Sequence, residues 1–264
     1  MRLQNKVAVV FGAGQTAGET IGNGRATAVL FAREGAKVLL VDRDETSVLE
    51  TKKMIEAEGG QASTAVADVI NELEVKAAID QAVSEYGRID ILHNNVGIGR
   101  NDTGPSHMTE EIWDTIMDVN VKGAVFACKH VLPIMRAQQS GSIINISSVA
   151  AVCAVGIVAY KASKAALNAY SHSVAMGNAK YGVRSNVIMP GLMDTPMAVE
   201  GYAAAQDMAR EDVRAARNAR VPLQQQMGTA WDVAHAAVFL ASDEAKFITA
   251  VELPVDGGQS AKIG

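Results

Sequence analysis

Two side chains four residues apart could carry proton chemistry. In the segment YKASK, residues 160–164, a tyrosine and a lysine stand at i and i+4. On a helix they share one face, about one turn apart. A free phenol has a pKa of about 10 and is a poor base at neutral pH. A nearby ammonium favours the phenolate. Lowering the phenol by two to three units takes about 3–4 kcal/mol of differential stabilisation, within reach of close cations in a partly dry cleft. Tyr160 could then take a proton from an alcohol or, in reverse, give one to a carbonyl oxygen. Upstream, INISSVAA ends an apolar run with Ser147 and Ser148. A serine hydroxyl there could hold the reacting oxygen as donor and acceptor. A tyrosine and lysine at this spacing are more commonly just an amphipathic pair, so the chemistry depends on what converges on them.

The elements that must position them alternate along the chain. Strand candidates are 6–12, 37–42, 62–68, 90–95, 141–148, 183–190 and 247–256. Amphipathic stretches lie between them, at 24–34, 45–58, 71–86, 109–137 and 158–181. Hydrophobicity in the strands is continuous rather than alternating, which implies cover on both faces, as in a parallel sheet. The alternation predicts right-handed crossovers and a single α/β domain over 1–264, a doubly wound parallel sheet of about seven strands with helices on both faces. Residues 192–229 break the rhythm and read as one or two short helices on a long excursion, a candidate substrate lid.

The first strand runs into GAGQTAGETIGNGRATAVLFAREG. The helical period of RATAVLFAREG fixes where the helix begins, so Gly22 and Gly24 open it and Gly12 closes the strand. In a doubly wound sheet such a turn meets ligands outside the carboxyl ends of the strands, where backbone N–H groups and the helix dipole favour a pyrophosphate. Strand two ends in Asp42, about twenty residues past the helix-opening glycines, positioned to accept the ribose hydroxyls of an adenosine and to repel a 2′-phosphate. That favours NAD over NADP, although Arg43 is adjacent. A bound oxidised nicotinamide would add its positive charge beside Tyr160 and accept the hydride that leaves the alcohol carbon.

Taken in order, these motifs resemble the short-chain dehydrogenase/reductase family over nearly the whole chain, and the resemblance implies the Rossmann fold and an oxidoreductase activity. The family's TGxxxGxG turn looks like Gly12, Gly22 and Gly24, and Asp42 matches its acid after strand two. Asp68 and Val69 match an acid-aliphatic pair that contacts the adenine. NNVG at 94–97, with Asn95 and Gly97, is similar to the family's NNAG, and VNVKG at 119–123 follows. By resemblance Asn120 helps organise a water chain leading from Lys164 to solvent. Pro190 and Gly191 end strand six where the family's nicotinamide lies, Thr195 matches the residue that holds its carboxamide, and Ile188 is placed to contact the ring by main chain. The implied catalytic set is Asn120, Ser148, Tyr160 and Lys164, and the last two also touch the cofactor. The family's usual interval of thirteen residues to the tyrosine picks Ser147, whereas the last serine before the following VAA segment is Ser148. Loop length varies more readily than a strand end, and adjacent strand residues face opposite ways, which favours Ser148.

Three departures stand out. Nine residues separate Gly12 from Gly22 where the family has three, so an excess of six must bulge over the adenosine-pyrophosphate half of the site. Gly14, Thr16 and Gly18 are candidates to supply contacts there. Phe11 replaces a threonine that commonly braces the turn, and Val96 replaces an alanine.

Around the site Ala150, Ala151, Val152, Cys153, Val155 and Ile157 are mostly apolar, and the excursion adds Leu192, Met193 and Met197. They predict an apolar or cyclic secondary alcohol and its ketone as substrate, with Arg100 the one candidate clamp for an anionic group. The same fold could also serve an NADP-dependent carbonyl reductase, an epimerase or dehydratase, or a non-catalytic dinucleotide sensor. A net charge of −5 carries no nucleic-acid footprint, and hydrophobic residues make up 48% of the chain without any stretch suggesting a membrane partner. Five scattered histidines and two cysteines show no metal-ligand spacing, so no metal is expected. An opening MRLQNKVAVVFG that reads straight into a strand, with Cys128 and Cys153 both reduced, predicts a cytoplasmic protein. Phe126, Val131, Leu167, Ala169 and Val174 read as extra apolar surface on two helices, and family resemblance implies a homotetramer or homodimer through them.

Overall fold

A computed structural model describes residues 1–262. The chain alternates strand and helix from the start: β1 (Val7–Phe11), α1 (Asn23–Arg33), β2 (Lys37–Asp42), α2 (Glu45–Ala57), β3 (Gln61–Val66), α3 (Glu72–Tyr86) and β4 (Ile91–Asn94). There follow α4 (Glu110–Met117), α5 (Gly123–Gln138), β5 (Gly141–Ile146), α6 (Val158–Asn178) and β6 (Val183–Pro190). The last stretch comprises β7 (Met193–Asp194), α7 (Pro196–Gln206), α8 (Arg210–Asn218), β8 (Gly228–Thr229), α9 (Ala230–Ala241) and β9 (Glu252–Val255).

Seven strands form one parallel sheet in the order β3-β2-β1-β4-β5-β6-β9. The order reverses direction beside β1, between β2 and β4, which opens a crevice at the carboxyl ends of those strands. The run VAVVF is buried at every position, as are β4 and β5, because the sheet is covered on both faces. On one face Val10, Leu40 and Ile144 pack with Ala28 and Phe31 of α1, Val48 of α2 and Val233 of α9. On the other, Val9, Leu39 and Ile143 pack with Ile79 of α3, Val131 of α5 and Val174 of α6. The expected doubly wound sheet in one domain is the observed one.

Several boundaries differ from expectation. Only Glu252–Val255 of the stretch 247–256 joins the sheet, while Phe247 is fully exposed. The helix expected over 109–137 is divided by a wide π turn at Asp118–Lys122, a distortion that carries Asn120 inward and that an apolar period cannot reveal. The excursion does hold two short helices, α7 and α8, and its ends are tied by a two-stranded parallel ribbon of β7 and β8. Val131, Leu167 and Val174 are buried in the core of this chain rather than spare surface; of the five residues read that way, Ala169 is exposed and Phe126 half-buried. Met193 is likewise core, whereas Met197 is exposed.

Candidate active site

The glycine-rich turn brings α1 hard against β1. Gly12 sits at φ +77°, and a Cβ on Gly24 would stand 1.9 Å from the Gly12 carbonyl oxygen. No L side chain fits that approach. The start of α1 at Gly22 has no side-chain cap and no acid in its first turn. Its leading N–H groups therefore keep their capacity for an anion. Asn23 Oδ1 is buried there without a protein partner. An uncapped helix start closely packed on a strand, beside an orphaned buried acceptor, fits the phosphates and hydroxyls of a dinucleotide.

The residues expected to contact an adenosine stand at or just past the ends of β2, β3 and β4. Asp42 is half-buried, with Oδ2 accepting from Gly14 N at 2.9 Å and Oδ1 from Asp44 N at 3.1 Å. Asp68 Oδ1 accepts from Ile70 N, and Val69 is buried against Gly123. Asn95 donates from Nδ2 to the Gly12 carbonyl at 3.1 Å, bracing the turn from β4's side where Phe11 offers no hydroxyl.

The six-residue excess is an ordered strap. Gln15 exchanges hydrogen bonds with Ser47 through its backbone, and its side chain accepts from Gly22 N at 2.8 Å, closing the loop on itself. Farther along, Gly18 lies against Pro196 and Glu200 of α7. Glu19 then pairs with Arg210 and Arg214 of α8, each at 3.1 Å. Arg210 also pairs with Glu200 at 2.5 Å, and Arg214 with Asp194 at 3.4 Å. The excess thus spans from the adenosine side of the crevice to the excursion 192–229. This network was not legible as a motif, because its members lie about 190 positions apart.

Asn120, Ser148, Tyr160 and Lys164 come together at the carboxyl ends of β4 and β5. Lys164 is 2% exposed; its Nζ donates to the Ile146 carbonyl at 2.9 Å and lies 5.6 Å from the centroid of the Tyr160 ring. Gly97 passes directly beside that ammonium. Burial lowers the Lys164 pKa to about 8. The Tyr160 phenol is raised above its ordinary value, chiefly by burial, while the Ser148 hydroxyl pulls it down and Tyr202 of α7 pushes it up. The phenol is therefore raised, rather than lowered as expected, because desolvation of the phenolate is the largest effect on it.

The two serines part company. Ser147 is buried and donates to the Lys164 carbonyl at 3.0 Å, and its amide donates to the Ile188 carbonyl. Ser148 is half-buried, accepts from Ala150 N and interacts with the Tyr160 phenol. Ile188 is fully buried within the sheet, and its carbonyl accepts from Ser147 N. Asn120 accepts from Ile98 N at 2.7 Å and donates to the Ile98 carbonyl and to Ser163 Oγ, both at 2.9 Å. These bonds join loop to helix.

Where a nicotinamide is expected, Pro190 closes β6, Gly191 N donates to the Val255 carbonyl, and Thr195 is buried at the start of α7 with a hydroxyl that makes no cap bond. Val152, Val155 and Met197 expose apolar surface nearby in sequence, and Arg100 is exposed on the loop after β4. Asp102, Ser163 and Tyr202 also bear on Tyr160 and were missed; Asp102 lies in RNDTGPS, which reads only as a turn. Among the described residues no cluster of His, Cys, Asp and Glu could hold a metal, and no helix is long and apolar enough to cross a membrane.

Comparison with known proteins bears on this arrangement. A family model described as Enoyl-(Acyl carrier protein) reductase matches residues 17–260. A 3-oxoacyl-(acyl-carrier-protein) reductase of Thermotoga maritima is 35% identical, over 98% of this chain and 99% of its own. Dehydrogenase/reductase SDR family member 6 of Xenopus laevis is 40% identical, over 98% of this chain and 99% of its own. The crystal structure of a levodione reductase superimposes with a TM-score of 0.93 at 32% identity, covering 99% of this chain and 100% of that one.

Proposed function

The chain belongs to the short-chain dehydrogenase/reductase family, and from that premise we propose that it is an NAD-dependent oxidoreductase interconverting a secondary alcohol and a ketone, with Tyr160 as general acid and base. The observation that carries the reading is the meeting of Tyr160, Lys164 and Ser148 in the crevice that the uncapped start of α1 also faces. When bound, the nicotinamide supplies the hydride acceptor or donor and, oxidised, a positive charge that favours the phenolate.

The chain's own residues do the rest. The Ser148 hydroxyl orients the substrate oxygen. Tyr160 takes the hydroxyl proton in oxidation and returns one to the carbonyl oxygen in reduction. Lys164, held by the Ile146 carbonyl, keeps positive charge beside the phenol. Gly22, Gly24 and Asn23 take the pyrophosphate end, Asp42 and Asp68 the adenosine, and Thr195 with Pro190 and Gly191 the carboxamide end. Asp42 supports NAD; the exposed Arg43 beside it supports NADP as the second reading.

An apolar or cyclic substrate is supported by Val152, Val155 and Met197, and by relatives named for reduction of 3-oxoacyl groups and of levodione. A homotetramer or homodimer and a cytoplasmic setting belong to the same reading, the latter supported by the free thiols of Cys128 and Cys153. Sedimentation checks the first.

The test is a panel of alcohols and ketones with NAD and with NADP, followed by nicotinamide absorbance, on the wild type and Tyr160→Phe. Turnover of apolar secondary alcohols with NAD, lost by about 10³-fold or more in the variant, is expected. Equal activity of the variant, or preference for small hydroxy acids, overturns the mechanism or the substrate class respectively.

A further inference from the structure

The helix that bears Tyr160 and Lys164 lacks a cap of its own. It begins after Ile157, whose side chain cannot accept, and its first turn contains no acid. The leading N–H groups of such a helix need partners from elsewhere. Asp102, on the loop after β4, supplies them. Its Oδ1 accepts from Val158 N and Ala159 N, each at 3.2 Å, and its Oδ2 accepts from Tyr160 N at 2.6 Å. A carboxylate taking three N–H groups at a helix start is favoured by charge-assisted hydrogen bonding and by the helix dipole.

One of those three donors is the amide of Tyr160 itself. The same loop is held at its other end, where Asn120 binds both the N–H and the carbonyl of Ile98. Asn120 continues through Ser163 Oγ, which donates to the Tyr160 carbonyl at 2.8 Å. Between the two anchors Gly99 lies flat against the tyrosine ring; a Cβ there would stand 3.1 Å from Cδ2. Residues 98–102 thus form a bed under the ring, tied to the Tyr160 amide on one side and its carbonyl on the other.

We propose that Asp102 is a positioning residue for the reaction: it locks the backbone of Tyr160 to the loop after β4, so that the phenol meets Ser148 and Lys164 in a single arrangement. This rests on the reading of Tyr160 as the acid and base. A cap that merely stabilised α6 would change how much protein is folded. A positioning residue changes turnover by the folded protein, because a displacement of about 1 Å at a reacting group can cost about 10²-fold in rate.

The experiment compares Asp102→Ala, Asp102→Asn and Tyr160→Phe in the full chain, using the alcohol the wild type turns over best. Three quantities are read: kcat and KM, the dissociation constant for NAD from protein fluorescence, and the melting temperature. For Asp102→Ala the expected result is a kcat lower by about 10²-fold with NAD affinity changed by less than about threefold. Asp102→Asn keeps an acceptor oxygen and is expected to recover about tenfold of that loss. Unchanged kcat in the folded alanine variant, a parallel loss of NAD affinity, or no recovery with asparagine overturns the assignment. Should the alanine variant not fold, lowered kcat with unchanged NAD affinity in Asp102→Asn supports it, and unchanged kcat overturns it. Tyr160→Phe separates the two layers: if it is as active as its parent, the acid-base reading falls whatever Asp102 does. If it is inactive while Asp102→Ala is fully active, only the role of Asp102 falls.

Discussion

The Ser147 hydroxyl donates to the main-chain carbonyl of Lys164 across 3.0 Å, so one of two adjacent serines is spent on holding the helix that carries the lysine. Its neighbour Ser148 is the one that interacts with the Tyr160 phenol. Replacement by alanine is expected to separate them. Ser148→Ala should lower kcat by about 10²-fold with little change in melting temperature. Ser147→Ala should cost about 1 kcal/mol of stability and leave kcat within a small factor. Steady-state kinetics and thermal melts on the two variants read this directly, and the reverse pattern would assign the role to Ser147.

Lys164 is stored at a cost. A buried ammonium whose pKa falls from 10.5 to about 8 opposes folding by about 3 kcal/mol wherever it stays protonated in both states. The folded state binds fewer protons than the unfolded one between those values. That penalty is therefore complete below about pH 8 and fades as pH rises toward 10.5. Lys164→Met is expected to abolish turnover and raise the melting temperature at pH 7, with the gain shrinking at pH 10. A variant less stable than its parent at pH 7 would mean that the bond to the Ile146 carbonyl outweighs desolvation.

On the proposed mechanism Tyr160 sets the pH profile of the reaction. Its phenol is raised by burial, so the base form needed for alcohol oxidation is scarce at neutral pH and accumulates as pH rises. Oxidation should therefore speed up with pH, while ketone reduction, which needs the protonated phenol, should slow over the same interval. A rate-pH series in both directions checks the sign. Oxidation that falls as pH rises would remove Tyr160 from the role of base.

Asp42 is the proposed lever for cofactor choice. Asp42→Asn keeps one acceptor oxygen, enough for Gly14 N or Asp44 N but not both, and removes the charge that repels a 2′-phosphate. Relative affinity for NADP over NAD should rise by about tenfold, a change of about 1.4 kcal/mol. Titrations of both dinucleotides measure it, and an unchanged ratio would show that the carboxylate does not discriminate.

The strap offers a test that leaves the chemistry untouched. Glu19→Ala removes both pairs to α8, and exposed pairs contribute about 0–1 kcal/mol each. The expected outcome is a several-fold weaker binding of NAD that converges with the wild type at high salt, where such pairs are screened. Deleting six residues between Gly12 and Gly22 should weaken binding further. Unchanged affinity in the deletion would make the strap a spectator.

Much of this was legible in sequence because it depends on local pattern. The strands announce themselves by buried β-branched runs, and YKASK places two side chains on one helical face whatever surrounds them. What escaped depends on distance or on distortion. The clasp of Glu19 by Arg210 and Arg214, and the reach of Asp102 to α6, join residues with no shared period. The π turn that carries Asn120 inward leaves the apolar spacing of 109–137 intact, so only the backbone reveals it. Val131, Leu167 and Val174 show the opposite failure. An apolar residue on a helix reads alike whether its partner is its own sheet or another molecule, and for Val131 and Val174 it is the sheet.

The ribbon of β7 and β8 has a bearing on how such a protein can diversify. Met193 pairs with Gly228 and Asp194 with Thr229, so the chain departs from the sheet and rejoins it at one narrow neck. Insertions or replacements beyond that neck can change the excursion without redrawing the sheet. The anchors of Lys164 at Ile146, and of Ser147 at Ile188, lie outside it. Residues 195–227 hang from the sheet by two adjacent backbone pairs, a module whose length can drift while the strands keep their register.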